Sequence, residues 1–420
     1  MGLAIDVHAR KGDHPVNVEA AVRSRVLHRT LLGVASLGLW SSGSWAGEGG
    51  LAPVIDGVQQ VAQYNFAIHI LAMLLVGFGF LMVFVQHYGY SATTGTYLVV
   101  AVGLPVYFIL RSMGLLTAEA IPMHSIKGLL LAEFAVAAGL ISTGAVLGRV
   151  RLHQYGLLAL LLVPVYMLNE WLVLDGGLGV TKGFVDSAGS IIIHAFGAYF
   201  GLGLAVALTR EAHLNKEIPG DATSNRFAMI GSMVLWLFWP SFCCAVVPPE
   251  QVAATAVNTI FALCGATIAT CVCSALFNRH KIMIGDIANA ALAGGVAIGA
   301  VCNVVQAPTA LLIGAGAGAL CVFGYAVIQA KIKNAFKIVD TCGVHNLHGM
   351  PGLLGGLVAI VVIPGIAKAQ LIGIAFTVGL ALAGGWIAGY LIRATGSKQN
   401  LYEDQEEFIQ TEQKGTVVEN

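Results

Sequence analysis

Runs of about 20 apolar residues follow one another along nearly the whole chain, and no other feature restricts the fold as much. An α-helix rises about 1.5 Å per residue, so a run of that length matches the roughly 30 Å hydrocarbon core of a bilayer. A segment in that medium finds no water for its backbone N–H and C=O groups. It must pair them internally, which leaves the helix or the closed barrel. The alternating pattern of barrel strands is absent. Composition agrees: 57% of the 420 residues are hydrophobic and 10% are charged, against about 25% charged in soluble domains. The chain reads as an all-α polytopic membrane protein.

Eleven spans can be drawn, near 64–85, 96–115, 125–148, 156–174, 188–209, 227–247, 252–277, 284–304, 309–330, 342–363 and 370–394. With the N-terminus outside, the inside loops carry Arg149, Arg151, Arg210, Lys216, Arg226, Arg279, Lys281, Lys331, Lys333, Lys337, Arg393 and Lys398, and the outside loops little beyond Lys182 and Lys368. That asymmetry sets the N-terminus outside and the C-terminus in the cytoplasm. Ahead of the first span, the basic "RSRVLHR", the short apolar "TLLGVASLGLW" and the small-x-small Ser44-Trp45-Ala46 read as a secretory signal peptide over 1–46. The alternative is an uncleaved first helix, which would be short for a span. Residues 47–394 then form the membrane domain and 395–420 a polar cytoplasmic tail, either disordered or a docking element.

Several functions fall away at this point. The formal net charge is zero, so there is no basic field for nucleic acid. The eight cysteines lie in or beside apolar runs and read as small buried residues. Cys271 and Cys273 would project about 200° apart on one helix, unsuited to sharing a metal.

Two apolar segments carry the same pattern. "DSAGSIIIHAFG" from Asp186 and "DTCGVHNLHGMPG" from Asp340 both read Asp-x-x-Gly-x4-His and lie 154 positions apart. The first opens the fifth span and the second the tenth, so five spans separate them and the helices enter from opposite sides. This is the signature of an inverted five-helix repeat, whose site lies at mid-membrane between the halves. Eight residues of helix carry each His about 12 Å from its Asp, close to half the hydrocarbon thickness. His194 and His348 are therefore expected near the midplane. Asp186 and Asp340 are expected at helix N-termini as capping carboxylates. His345, one turn before His348, is a further candidate for the same face. A metal between the two would lack an evident carboxylate or thiolate beside it, and no metal or cofactor is assigned. His69 has no matching copy and reads as a structural histidine.

"DTCGVHNLHGMPGLLGG", "DSAGSIIIHAFGAYFGL", "FWPSF" and "NAALAGGVAIG", in that setting, resemble the Rhesus (Rh) branch of the ammonium transporter superfamily, in its prokaryotic form. The resemblance implies an inner-membrane homotrimer with a central pore in each subunit. It implies that His194 and His348 share a hydrogen bond in a narrow apolar lumen. It also implies two stacked phenylalanines at the outer mouth, Phe134 of "LLLAEFAVAAG" and Phe242 of "FWPSF". Glu170 of "LNEWLV" matches an acidic residue that concentrates ammonium at the vestibule, and reads equally well as a solvated interface carboxylate.

The function so implied is passive, bidirectional conduction of ammonia. An ammonium ion would be desolvated at great cost in such a lumen, whereas neutral ammonia crosses past imidazoles that offer both a donor and an acceptor. Carbon dioxide as cargo, and electrogenic ammonium carriage with a separate proton relay, are the alternatives within transport. A haem or metal enzyme built on paired histidines is disfavoured by the missing carboxylate cluster and CxxCH motif. No cytoplasmic regulator is indicated by any motif.

Overall fold

The computed structural model describes residues 51–409, with side chains from residue 57 onward; the signal-peptide reading over 1–46 lies outside the described residues. Among them there is no strand. Ten helices are long and apolar enough to cross a membrane: α1 (Gly57–Phe84), α2 (Gly89–Ser112), α3 (Ile126–Val146), α4 (Leu152–Leu174), α5 (Ser190–Leu208), α6 (Ala222–Cys244), α7 (Pro249–Phe277), α9 (Ala307–Phe336), α10 (His345–Val362) and α11 (Ala367–Ala394). Between α7 and α9 lies a shorter apolar element, α8 (Ile284–Ile298). Each coincides with one of the eleven expected spans.

The eighth span departs from expectation. It was drawn as a continuous helix over 284–304. The structure breaks it at 291–292 and ends it at Ile298, with turns through 304. The reason for its early end lies in the backbone. Carbonyl oxygens of Gly299 and Ala300 leave the helix ladder to accept N–H groups of Ala188 (2.7 Å) and Ser187 (3.5 Å) in the first Asp motif. The second motif does the same at the end of α3, where Gly144 and Ala145 accept from Cys342 (3.1 Å) and Thr341 (3.2 Å). The inverted repeat is thus written in main-chain hydrogen bonds, with α3 and α8 as counterparts.

Burial identifies the centre of the bundle. The most apolar windows of α3 and α5 are 89% buried, against 28% for α11. Helices pack closely where glycine removes the side chain. A Cβ on Gly314 of α9 would overlap the Ala262 carbonyl oxygen of α7, and one on Gly265 of α7 that of Leu311 in α9.

The tail is ordered through its described part, and it docks. Asp404 accepts N–H groups of Tyr90 (3.0 Å) and Ser91 (2.7 Å), capping α2, and Glu407 accepts that of Leu152 (3.0 Å), capping α4. Tyr402 is fully buried, and its N–H donates to the Gly148 carbonyl at 3.0 Å.

Candidate functional site

The two Asp motifs fold alike. The Asp186 carboxylate accepts the N–H groups of Ile191 (2.9 Å) and Ile192 (2.7 Å), and Asp340 accepts those of Val344 (3.0 Å) and His345 (3.1 Å). The glycine of each motif turns the chain into its helix in the left-handed region, Gly189 at φ 80° and Gly343 at φ 70°, which a side chain would resist. A Cβ on Gly189 would also overlap Ile193. Both helices then open with a wide π turn, Ser190–Ala195 and His345–Gly349, and these turns hold His194 and His348. Asp186 stands in the loop before α5, where burial pushes its carboxyl up to about 7 against the pull of the N–H bonds it accepts.

The turns bring the two imidazoles together. His194 Nδ1 lies 3.2 Å from His348 Nδ1, with the rings 7° from parallel. One proton lies between these nitrogens, so one ring donates and the other accepts. The two Nε2 atoms therefore take opposite roles, one acceptor and one donor. His194 Nε2 is buried, with no hydrogen-bond partner among the described residues. Trp239 lies against His194 with centroids 5.5 Å apart, and Phe78 against His348 at 6.3 Å. Neither aromatic was singled out from the sequence. The signal was present for Trp239, which stands three residues before Phe242 and so on the same helix face; Phe78 carried none.

Phe134 and Phe242 meet with centroids 4.6 Å apart, at 64° between planes. This is an edge-to-face contact, where a stacked pair was expected, and it is a favoured arrangement of aromatic quadrupoles. Phe242 reaches the His194 ring at 6.0 Å. On the far side of Phe134 a cavity of about 670 Å³ opens, lined among others by Lys127, Glu170, Asp186, Ile192 and Ile193.

Glu170 is no solvated carboxylate. Its side chain is buried, paired with Arg111 at 3.1 Å, and accepts the Tyr107 hydroxyl at 2.9 Å. The lone arginine in the second apolar span was the overlooked signal.

On the other side of the histidines the space narrows to about 30 Å³, lined by Phe78, Leu140, Ile141, Asn289, Leu347 and His348 among others. His345 does not share that passage. It lines a separate cavity of about 410 Å³ with Lys216, Lys333, Asp340 and Asn346, its ring edge-on to Tyr199 at 5.8 Å. His69 bonds Ser241 Oγ through Nδ1 at 2.9 Å and stacks on Phe238 at 4.8 Å.

The family model for the ammonium transporter family matches residues 31–413. The chain belongs to the ammonium transporter family. Within this family it falls with the Rh proteins: it is 38% identical over 379 residues to ammonium transporter Rh type B of Oryctolagus cuniculus, covering 80% of each chain. Among solved structures it resembles Nitrosomonas europaea Rh50, described as one of the Rhesus protein family of channels. The identity is 62% and the TM-score 0.84, over 84% of this chain and 93% of that one. A sensor Amt protein shares the fold at 20% identity, with a TM-score of 0.69 over 81% of this chain and 93% of that one.

Proposed function

We propose that this family member is a passive, bidirectional ammonia channel. The observation that carries the reading is the contact of His194 and His348 between an aromatic closure and a narrow apolar passage. Ammonium would gather in the wide cavity beside Glu170 and Asp186. It would give up its proton to the water of that cavity, because the aromatic contact of Phe134 and Phe242 offers no polar group to replace its hydration. Neutral ammonia would then pass Phe134 and Phe242. The complementary Nε2 atoms of the pair replace its lost water contacts, one accepting an N–H and the other donating to the lone pair. Selectivity follows from width and from the scarcity of other polar groups in the path. The positive charge of the loops supports an orientation with the wide cavity outside and the C-terminus in the cytoplasm, in an inner membrane. Exposed apolar side chains of α6 and α7, Met233, Leu237 and Ile268 among them, suit association into a homotrimer.

Stopped-flow measurement on proteoliposomes tests the reading. Ammonia-driven alkalinisation faster than in empty vesicles, without ammonium-evoked current, is the expected result. A rate equal to that of empty vesicles would overturn it. Acidification driven by carbon dioxide, measured in the same vesicles, separates that cargo.

A further inference from the structure

We infer that Asn289 is a specificity-determining residue at the inner mouth, accepting an N–H of ammonium through its side-chain carbonyl; this rests on the ammonia-channel reading above. The narrow passage beyond His348 is walled almost wholly by apolar side chains, and among its lining residues Asn289 and His348 carry the nitrogen- and oxygen-bearing side chains, beside the weakly bonding thiol of Cys342. Its volume of about 30 Å³ admits one small molecule at a time. Asn289 stands on the first part of α8, Ile284–Ala290, and the far end of this helix meets the Asp186 motif. The two ends of α8 therefore face the two ends of the path.

The amide orientation is decided by a bond within the helix. Asn289 Nδ2 donates to the Gly285 carbonyl oxygen at 2.8 Å. A carbonyl accepts and cannot donate, so the nitrogen must be on that side, and Oδ1 is the atom left without a protein partner among the described residues. A free amide oxygen on a residue that lines an otherwise apolar passage suits a small donor-only solute. Ammonium has four N–H donors and no acceptor, and a carbonyl dipole stands in for one water of its shell. Water gains less there, since its second role as acceptor goes unmet.

The test compares right-side-out and inside-out vesicles carrying wild type, Asn289→Leu, Asn289→Ala or Asn289→Asp, with ammonium chloride as the probe. Loss of one acceptor is expected to raise the half-saturating ammonium about threefold to tenfold for entry from the Asn289 side. Entry from the opposite side should keep its wild-type half-saturation. Asn289→Asp, which retains an oxygen there, should restore the value. Asn289→Ala is read in the same way should the leucine variant elute as misfolded protein. Equal half-saturation for wild type and the apolar variants, or an equal rise from both sides, overturns the inference. Absence of any ammonia flux in wild type is a different failure, that of the channel reading itself.

Discussion

His194 and His348 stand 154 residues apart in sequence and 3.2 Å apart at their Nδ1 atoms, one carried by each half of the inverted repeat. Because a single proton sits between them, each imidazole sets the tautomer of the other. Replacing either one with Ala removes the partner that orients the survivor. Ammonia flux should fall about tenfold in His194→Ala and in His348→Ala, and the double variant should lose little more, since the pair acts as a unit. Stopped-flow rates on the three variants check this; additive losses would argue against it.

Gly295 is the floor on which Trp239 lies flat. A Cβ at this position would overlap the indole ring, and that ring backs His194. Gly295→Val should cost about 1–3 kcal/mol through overpacking and lower the flux, with a changed tryptophan emission. Unchanged emission and flux would show that the indole has room the structure denies it.

The Arg111–Glu170 pair is buried on both sides, with side chains 10% and 6% exposed. Glu170→Gln leaves the guanidinium uncompensated and should destabilise by about 3 kcal/mol or more. Arg111→Leu combined with Glu170→Gln should recover most of that loss. Thermal unfolding in detergent gives the comparison, and a double variant no better than Glu170→Gln would remove the coupling.

His213, in the loop after α5, has its imidazole pushed down to about 4 by burial and by the Arg149 and Arg210 guanidinium groups. Between its ordinary value near 6.5 and about 4 the unfolded chain binds a proton that the folded chain refuses. Its contribution is therefore complete above about pH 6.5 and is lost as the pH falls. The melting temperature should drop between pH 7.5 and 5, and His213→Gln should remove part of that drop. Parallel curves for the two proteins would count against it.

Asp404 holds the start of α2, where the preceding residue, Tyr88, offers no side-chain cap. Asp404→Ala should cost about 1–2 kcal/mol, in the range of a lost N-cap. Hydrogen exchange at Tyr90 and Ser91 is expected to rise, and protection equal to wild type would rule the capping out.

How much of this was legible in the chain depended on the range of the physics involved. Spans matched because apolar length and helix rise act over 20 neighbouring residues; α8 ends earlier than drawn because Ala188 and Ser187, remote in sequence, take the carbonyls that follow it. The Glu170 environment was hidden for the same reason. Its burial depends on Arg111 and Tyr107, and nothing near "LNEWLV" announces them.

The sequence by itself determined the class and the number of apolar helices, since both follow from local hydrophobicity and a fixed rise per residue. Only the tertiary structure decided that the imidazoles touch, that His348 shares the narrow passage while His345 opens on another cavity, and that Phe134 meets Phe242 edge to face. Those outcomes depend on helix rotation, and rotation is set by which side chains from distant segments fill the same space.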